Sequence, residues 1–305
     1  MKKIVKPLVC VLIIAAVFSV CFGYREALAD FISGVIGSPG DLSGGELELH
    51  VIDVGQGDSI LIRSDDAAVL VDTGTYDSRG ELAEYLRAND AYRIDCLVIT
   101  HPHADHIGGA EYIVRNFKVG CVMLCDSDST SASLAKLLNA VDELGVKLIE
   151  PSVGSLTRVG NIAFRVLSPL PELDTASNDG SIVMRVEWGS TAFMLTGDAE
   201  TAAEELILGN YPPEELRCDF LKLGHHGSNT STSEAFLDAV SPGWVAISCG
   251  KDNDYGHPHH KVLERLRAFG LDDDHVLRTD TDGSLVFVSD GSEVRLERRY
   301  NRSVR

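Results

Sequence analysis

The sequence predicts an α/β protein in which two mixed β-sheets pack face to face with helices on both outer sides, a four-layer αββα sandwich. Apolar, strand-like runs come in meanders, with helical segments between them, as expected where one sheet covers another and helices cover the outer faces. Of the 305 residues, 44% are hydrophobic, enough for one sizeable core. No internal repeat or low-complexity tract interrupts the alternation.

From Glu46 onward the apolar runs place strands over 47–54, 59–62 and 67–71, then a helix over 80–88. A strand over 94–99 leads into a histidine-rich loop, and a helix follows it to about Asn116. A strand (119–124), a helix (131–144) and a strand (146–149) continue the alternation. A meander of strands at 162–167, 181–188 and 191–195 comes next. A helix (199–208), a strand (217–223), a helix (234–240) and a strand (244–248) repeat the earlier pattern. A helix over 261–269 and closing strands over 284–288 and 293–296 complete the domain, which is expected to occupy 46–305.

The first 45 residues do not belong to that core. Lys2, Lys3 and Lys6 precede an apolar run from Leu8 to Phe22, and Ala27-Leu28-Ala29 offers small residues for cleavage. Residues 1–29 read as a secretory signal or, if uncleaved, an N-terminal membrane anchor. Either reading puts the body of the chain outside the cytoplasm. The glycine-rich stretch 30–45 reads as a linker. The cysteines beyond the signal (Cys96, Cys121, Cys125, Cys218 and Cys249) are odd in number and lie mostly in apolar runs. They are expected to be small buried hydrophobes, not a disulfide framework or a zinc knuckle.

The formal charge of −19 becomes −22 without residues 1–29, which hold four basic residues and one acidic. Such a balance opposes a tight grip on long nucleic acid through its phosphates. The one basic cluster, Arg295, Arg298, Arg299, Arg302 and Arg305, reads as a solvated tail.

The chemistry concentrates at strand ends. His101-Pro102-His103-Ala104-Asp105-His106 packs three imidazoles and a carboxylate into six residues after the apolar run Cys96-Leu97-Val98-Ile99. Imidazole and carboxylate suit zinc and similar divalent cations. His101 and His103 fall on one side of an extended chain, and Asp105 and His106 turn to a neighbouring point, which suits two metals side by side. Asp72, Asp198, the pair His225-His226 and His257 each follow an apolar strand in the same way.

This set resembles the metallo-β-lactamase fold hydrolases, whose central motif matches His101-x-His103-x-Asp105-His106. Further signatures narrow the match: Val51-Ile52-Asp53-Val54-Gly55-Gln56-Gly57-Asp58-Ser59, Ser177-Asn178-Asp179-Gly180-Ser181, His225-His226-Gly227-Ser228, Tyr255-Gly256-His257-Pro258, and Arg278-Thr279-Asp280 with Gly283. Over about residues 46–290 the chain is similar to the C-terminal hydrolase domain of the ComEC/Rec2 competence proteins, in free-standing form. Unlike the competence channels, which carry many membrane-spanning helices, this sequence shows one long apolar run at most and is not expected to conduct DNA by itself.

The resemblance implies two divalent cations, Zn or Mn. His101 and His103 would bind the first, with Asn178 or Asp179 in place of the histidine usual in the wider superfamily, so this site is expected to be the weaker. Asp105, His106 and His225 would bind the second, and Asp198 would bridge. His226 is the alternative ligand to His225 or a supporting donor. Asp72 is expected to hold the histidine loop by hydrogen bonds. A metal-bridging hydroxide oriented by Asp105 would attack phosphorus. His257 would face the phosphate or protonate the leaving group, or would simply be a turn histidine beside Pro258. Asp53, Gln56, Gly57, Asp58 and Ser228 are the expected substrate contacts, with a tight hairpin turn as the alternative for residues 53–58.

The implied function is a phosphodiesterase or nuclease acting on a phosphodiester, DNA included. Membrane contact would come only through an uncleaved anchor, and no protein partner is implied. The alternatives are a β-lactam or thioester hydrolase on the same fold, and a silent module that binds DNA or a cell-wall polymer.

Overall fold

The computed structural model describes residues 45–300, with side chains through Arg298. The signal or anchor (1–29), all of the linker but its last residue, and residues 301–305 lie outside the described residues. No helix among the described residues is long and apolar enough to cross a membrane.

In chain order the strands are β1 (Leu47–Val51), β2 (Ile60–Arg63), β3 (Ala68–Val71), β4 (Arg93–Val98), β5 (Lys118–Met123), β6 (Lys147–Ile149), β7 (Leu156–Val159), β8 (Ile162–Ser168), β9 (Val183–Trp188), β10 (Thr191–Leu195), β11 (Phe220–Lys222), β12 (Trp244–Ile247), β13 (Val276–Arg278), β14 (Ser284–Ser289) and β15 (Val294–Tyr300). They form an eight-stranded sheet, β15-β14-β1-β2-β3-β4-β5-β6, and a seven-stranded sheet, β13-β12-β11-β10-β9-β8-β7. Both sheets are mixed: β3 to β6 pair in parallel, as do β10 to β13, and the other pairs are antiparallel.

Alternation along each strand builds the layers. Val69 and Val71 of β3, with Phe193 and Leu195 of β10, fill the core between the sheets, where Phe220 packs against Phe193 and Phe287. The intervening residues face outward. Ala68 and Leu70 meet α1 (Arg79–Ala88), α3 (Ala110–Asn116) and α4 (Ala132–Leu144). Ala192 and Met194 meet α5 (Thr201–Asn210), α7 (Glu234–Val240) and α8 (His260–Phe269). The expected α/β four-layer sandwich is the observed fold.

Several elements differ from expectation. The helix after the histidine loop is two, α2 (Ala104–Ile107) and α3, separated by Gly108-Gly109. A Cβ on Gly108 would lie 2.4 Å from the backbone nitrogen of Tyr76, so the chain passes too close there for any side chain. β1 stops at Val51, because residues 53–58 turn back and Ile52 donates its N–H to Ser59 O (2.9 Å). The edge strands β7 and β13 and the single turn α6 (Pro213–Leu216) went unforeseen, being short and, in β7, only half-buried. β15 runs beyond Leu296, pairing with β14 across a bulge despite its run of charges. The five described cysteines are free.

This topology sets where the chemistry can lie. Asp72 and the histidine loop follow the parallel strands β3 and β4. Asp198, His225-His226 and His257 follow β10, β11 and β12, parallel neighbours in the other sheet. The C-terminal ends of both parallel groups therefore deliver their loops to one edge of the sandwich.

Candidate metal centre

At that edge one carboxylate oxygen stands among imidazoles. Asp198 Oδ2 lies 3.2 Å from His106 Nε2, 3.4 Å from His226 Nε2, and 3.9 Å from both His101 Nε2 and His225 Nε2. Asp105 Oδ2 is 3.3 Å from His226 Nε2. One ligand atom from each of Asp105, His106, Asp198 and His226 falls within 4.8 Å of the others.

Each imidazole is fixed from behind. His106 Nδ1 donates to Asp72 Oδ2 (2.8 Å), and Asp72 also accepts from the Thr100 N–H (2.8 Å) and hydroxyl (2.6 Å). Asp72 itself sits at φ 59°, a left-handed conformation that a non-glycine residue holds only when its surroundings impose it. His226 Nδ1 lies 2.9 Å from Ser248 O, and His101 Nδ1 is held by Ser181 Oγ (3.3 Å). Such partners hold the far nitrogen of each ring and so aim Nε2 at the shared point.

The Nε2 atoms of His101, His106 and His226, with Asp198 Oδ1 and Asn178 Oδ1, are buried and make no hydrogen bond. Buried polar atoms are rarely left so, and a cluster of unpartnered imidazole nitrogens and carboxylate oxygens is the donor set for a zinc- or manganese-like ion. The residues present fit divalent metal.

The electrostatics follow from burial and proximity. Burial alone would raise the carboxyls of Asp105 and Asp198, but the charges of His106 and His226 hold both below the usual carboxylate range. Burial would depress His106 and His226, and the Asp198 carboxylate overrides it and raises both. His101 is held well below its ordinary value, mainly by burial. His257 is brought down to about 4 by burial and neighbouring imidazoles, so it is uncharged near neutral pH. As a neutral ring it can offer a hydrogen bond to a group bound in the cavity.

Gln56, His103, Asp105, Asn178, Asp198, His225, His226, Tyr255 and His257 line one cavity of about 160 Å³. Asp53, Gly55 and Gln56 line an adjoining groove of about 660 Å³ with Lys251, Asn253 and Asp280, so Gln56 borders both. Asn253 shapes the loop between them, accepting from the N–H groups of Tyr255 and His257.

Some expected positions differ. His226, not His225, stands in the Asp105–His106–Asp198 cluster. Both histidines have positive φ (43° and 54°), and this tight left-handed turn sends their side chains in different directions. His226 is buried, while His225 reaches Asp198 from the Asn178 side, its Nδ1 paired with Glu200 (2.8 Å). Asp179 does not face the cavity: its Oδ1 accepts from the N–H groups of Glu200 and Ala203 at the start of α5. Asp58 is buried in an ion pair with Lys222, which brings its carboxyl down to about 2 against the effect of burial. It cannot touch substrate. Ser228 is also buried, its hydroxyl paired with Thr230 (2.9 Å). Gly57 has a packing role, since a Cβ there would lie 2.3 Å from Asp105 O. Asp53 and Gln56 remain exposed to the groove.

Sequence reasoning missed Glu200, Thr100, Ser248 and Lys222. Lys222 had a signal: a lone charge inside the apolar run Phe220-Leu221-Lys222-Leu223.

Residues 52–123 match the family model described as the metallo-beta-lactamase superfamily. The chain is 35% identical over 260 residues to ComE operon protein 3 of Bacillus subtilis (strain 168), covering 79% of this chain and 33% of that protein. It is 34% identical over 251 residues to competence protein ComA of Neisseria gonorrhoeae, covering 79% and 32%. The chain thus spans about a third of the length of these relatives. Among solved structures, CmlA, a diiron beta-hydroxylase from Streptomyces venezuelae, is similar with a TM-score of 0.53 and 18% identity, covering 84% of this chain and 55% of that one. That likeness is one of fold.

Proposed function

We propose that this chain, a metallo-β-lactamase-fold protein homologous to competence proteins, is a metal-dependent phosphodiesterase of nuclease type. The observation that carries the reading is the convergence of Asp105, His106, Asp198 and His226 on one point, with bare imidazole nitrogens turned to it. In this reading those four residues hold one cation. His101 and His103, with His225 and Asn178 beside them, hold the other, and Asp198 lies between. The chemistry supplied by cations bound there is Lewis acidity, which activates water near neutral pH and draws charge from phosphoryl oxygens.

The chain's own groups do the rest. Asp105, ionised at the cavity wall, orients the attacking water through its carboxylate. His257, neutral, hydrogen-bonds a phosphoryl oxygen. A cavity of about 160 Å³ admits a phosphodiester linkage and little more, so the flanking groups of the substrate lie in the groove beyond Gln56. Tyr255, 65% exposed at the cavity mouth, offers an aromatic face to one of them. The net charge favours short or small phosphodiesters over long duplexes. The N-terminal pattern supports action outside the cytoplasm, by a secreted or membrane-anchored protein.

The test is turnover by the purified chain, with added manganese or zinc, of a chromogenic phosphodiester, single-stranded DNA and a chromogenic cephalosporin. The reading expects metal-dependent cleavage of the first two alone. Cephalosporin turnover without phosphodiester cleavage would make it a lactamase, and bound metal with no turnover a binding module.

A further inference from the structure

Lys222, the last residue of β11, is wholly excluded from solvent, and it does not line the cavity beside the ligand cluster. Its ammonium donates to Gly197 O (3.1 Å) and pairs with the Asp58 carboxylate. Each partner leads to the centre. Gly197 immediately precedes Asp198. Asp58 donates its backbone N–H to Asp105 O (3.1 Å), accepts from the Gly74 N–H (2.8 Å), and places Oδ1 3.5 Å from His226 Nδ1. One buried cation therefore joins the loops that carry Asp198, Asp105 and His226.

Stability alone gives this pair little reason to exist. Removing an ammonium and a carboxylate from water is costly, and apolar groups of similar volume commonly fold as well or better. What apolar groups cannot do is fix three separate loops in register. We infer that Lys222 is a positioning residue: through Gly197 and Asp58 it sets the separation at which Asp105, His106, Asp198 and His226 form one cation site. The inference rests on the metal-dependent reading above.

The discriminating variant is Lys222→Met with Asp58→Asn, which removes the tie while leaving net charge and volume nearly unchanged. Metal-stripped protein is titrated with Mn²⁺ or Zn²⁺ by calorimetry, with circular dichroism to confirm the fold. Positioning predicts a folded double variant whose cation affinity falls about 10- to 100-fold, the range for outer partners of metal ligands. Hydrolysis at saturating metal should lose kcat with little change in KM. Lys222→Met alone separates position from charge: loss of a nearby positive charge would by itself tighten cation binding, whereas positioning predicts weaker binding.

If the double variant fails to fold, Lys222→Met alone serves, with an expected loss of about threefold to tenfold where charge alone predicts a gain. A folded variant with wild-type affinity and kcat overturns the inference. A wild-type chain that binds no cation overturns the metal reading first, and the inference with it.

Discussion

The two sides of the Asp198 carboxylate are built differently. On one side stand His106 and His226, both buried, one anchored by Asp72 and the other beside Ser248 O, with Lys222 and Asp58 behind them. On the other, His101 is buried, but His103 is exposed, His225 is partly so, and an asparagine amide stands in place of a further imidazole. The first side is the more firmly braced, because His106 and His226 each have a buried partner at the far nitrogen. The second has Glu200 as its main outer carboxylate, which accepts from His225, Asn178 and Thr230. A centre of this kind should hold one cation firmly and a second more loosely, since preorganised ligands lose less freedom when the ion binds.

The comparison can be broken at its hinge. Asp198→Ala removes the oxygen common to both sides, so cation binding should fail on both and turnover should fall by about a thousandfold or more, beyond the 10- to 100-fold typical of outer partners. Elemental analysis of the purified variant checks the first part and a turnover assay the second. Asp72→Ala frees His106 and should weaken the firm site by about 10- to 100-fold, seen by titration, with a smaller loss at the loose site, because Asp72 also holds Thr100, whose hydroxyl lies 3.2 Å from His101 Nδ1. Glu200→Gln acts on the other side. It should weaken only the loose class, and by less than about tenfold, because His225 is already partly exposed to water. Equal effects of these two variants on both classes would erase the asymmetry.

The smallest effect concerns acid. His257 titrates at about 4 in the fold against 6.5 when free, so the folded state resists a proton that the unfolded chain accepts. Its contribution to stability is complete above 6.5 and is lost as pH falls toward 4. Melting curves of His257→Gln should therefore decline less than wild type between about pH 6.5 and 4. A matching decline would place the acid sensitivity elsewhere.

Much of this was readable from the chain, for physical reasons. Strands buried on both faces must be apolar throughout, so the polar residue that ends each one stands out: Asp72, His101, Asp198 and His225 were visible for that reason. The layered fold followed from how such strands alternate with helices. Edge strands carry no such signature, and β7, half-exposed with Thr157 and Arg158 at its centre, looked like loop. Adjacent histidines are equivalent in sequence, and only the left-handed turn at 225–226 separates their directions. Asp58 and Asp179 looked like site residues because a carboxylate that accepts from a helix start or pairs with a buried lysine is, in sequence, the same letter as one that binds metal.

The most direct test of the asymmetric centre is calorimetric titration of the metal-stripped chain with Mn²⁺ or Zn²⁺, repeated on His226→Ala and His225→Ala. Two classes of site are expected in the wild type, with the tighter one lost in His226→Ala and retained in His225→Ala. Loss of the tighter class in His225→Ala, with His226→Ala unaffected, would contradict the account.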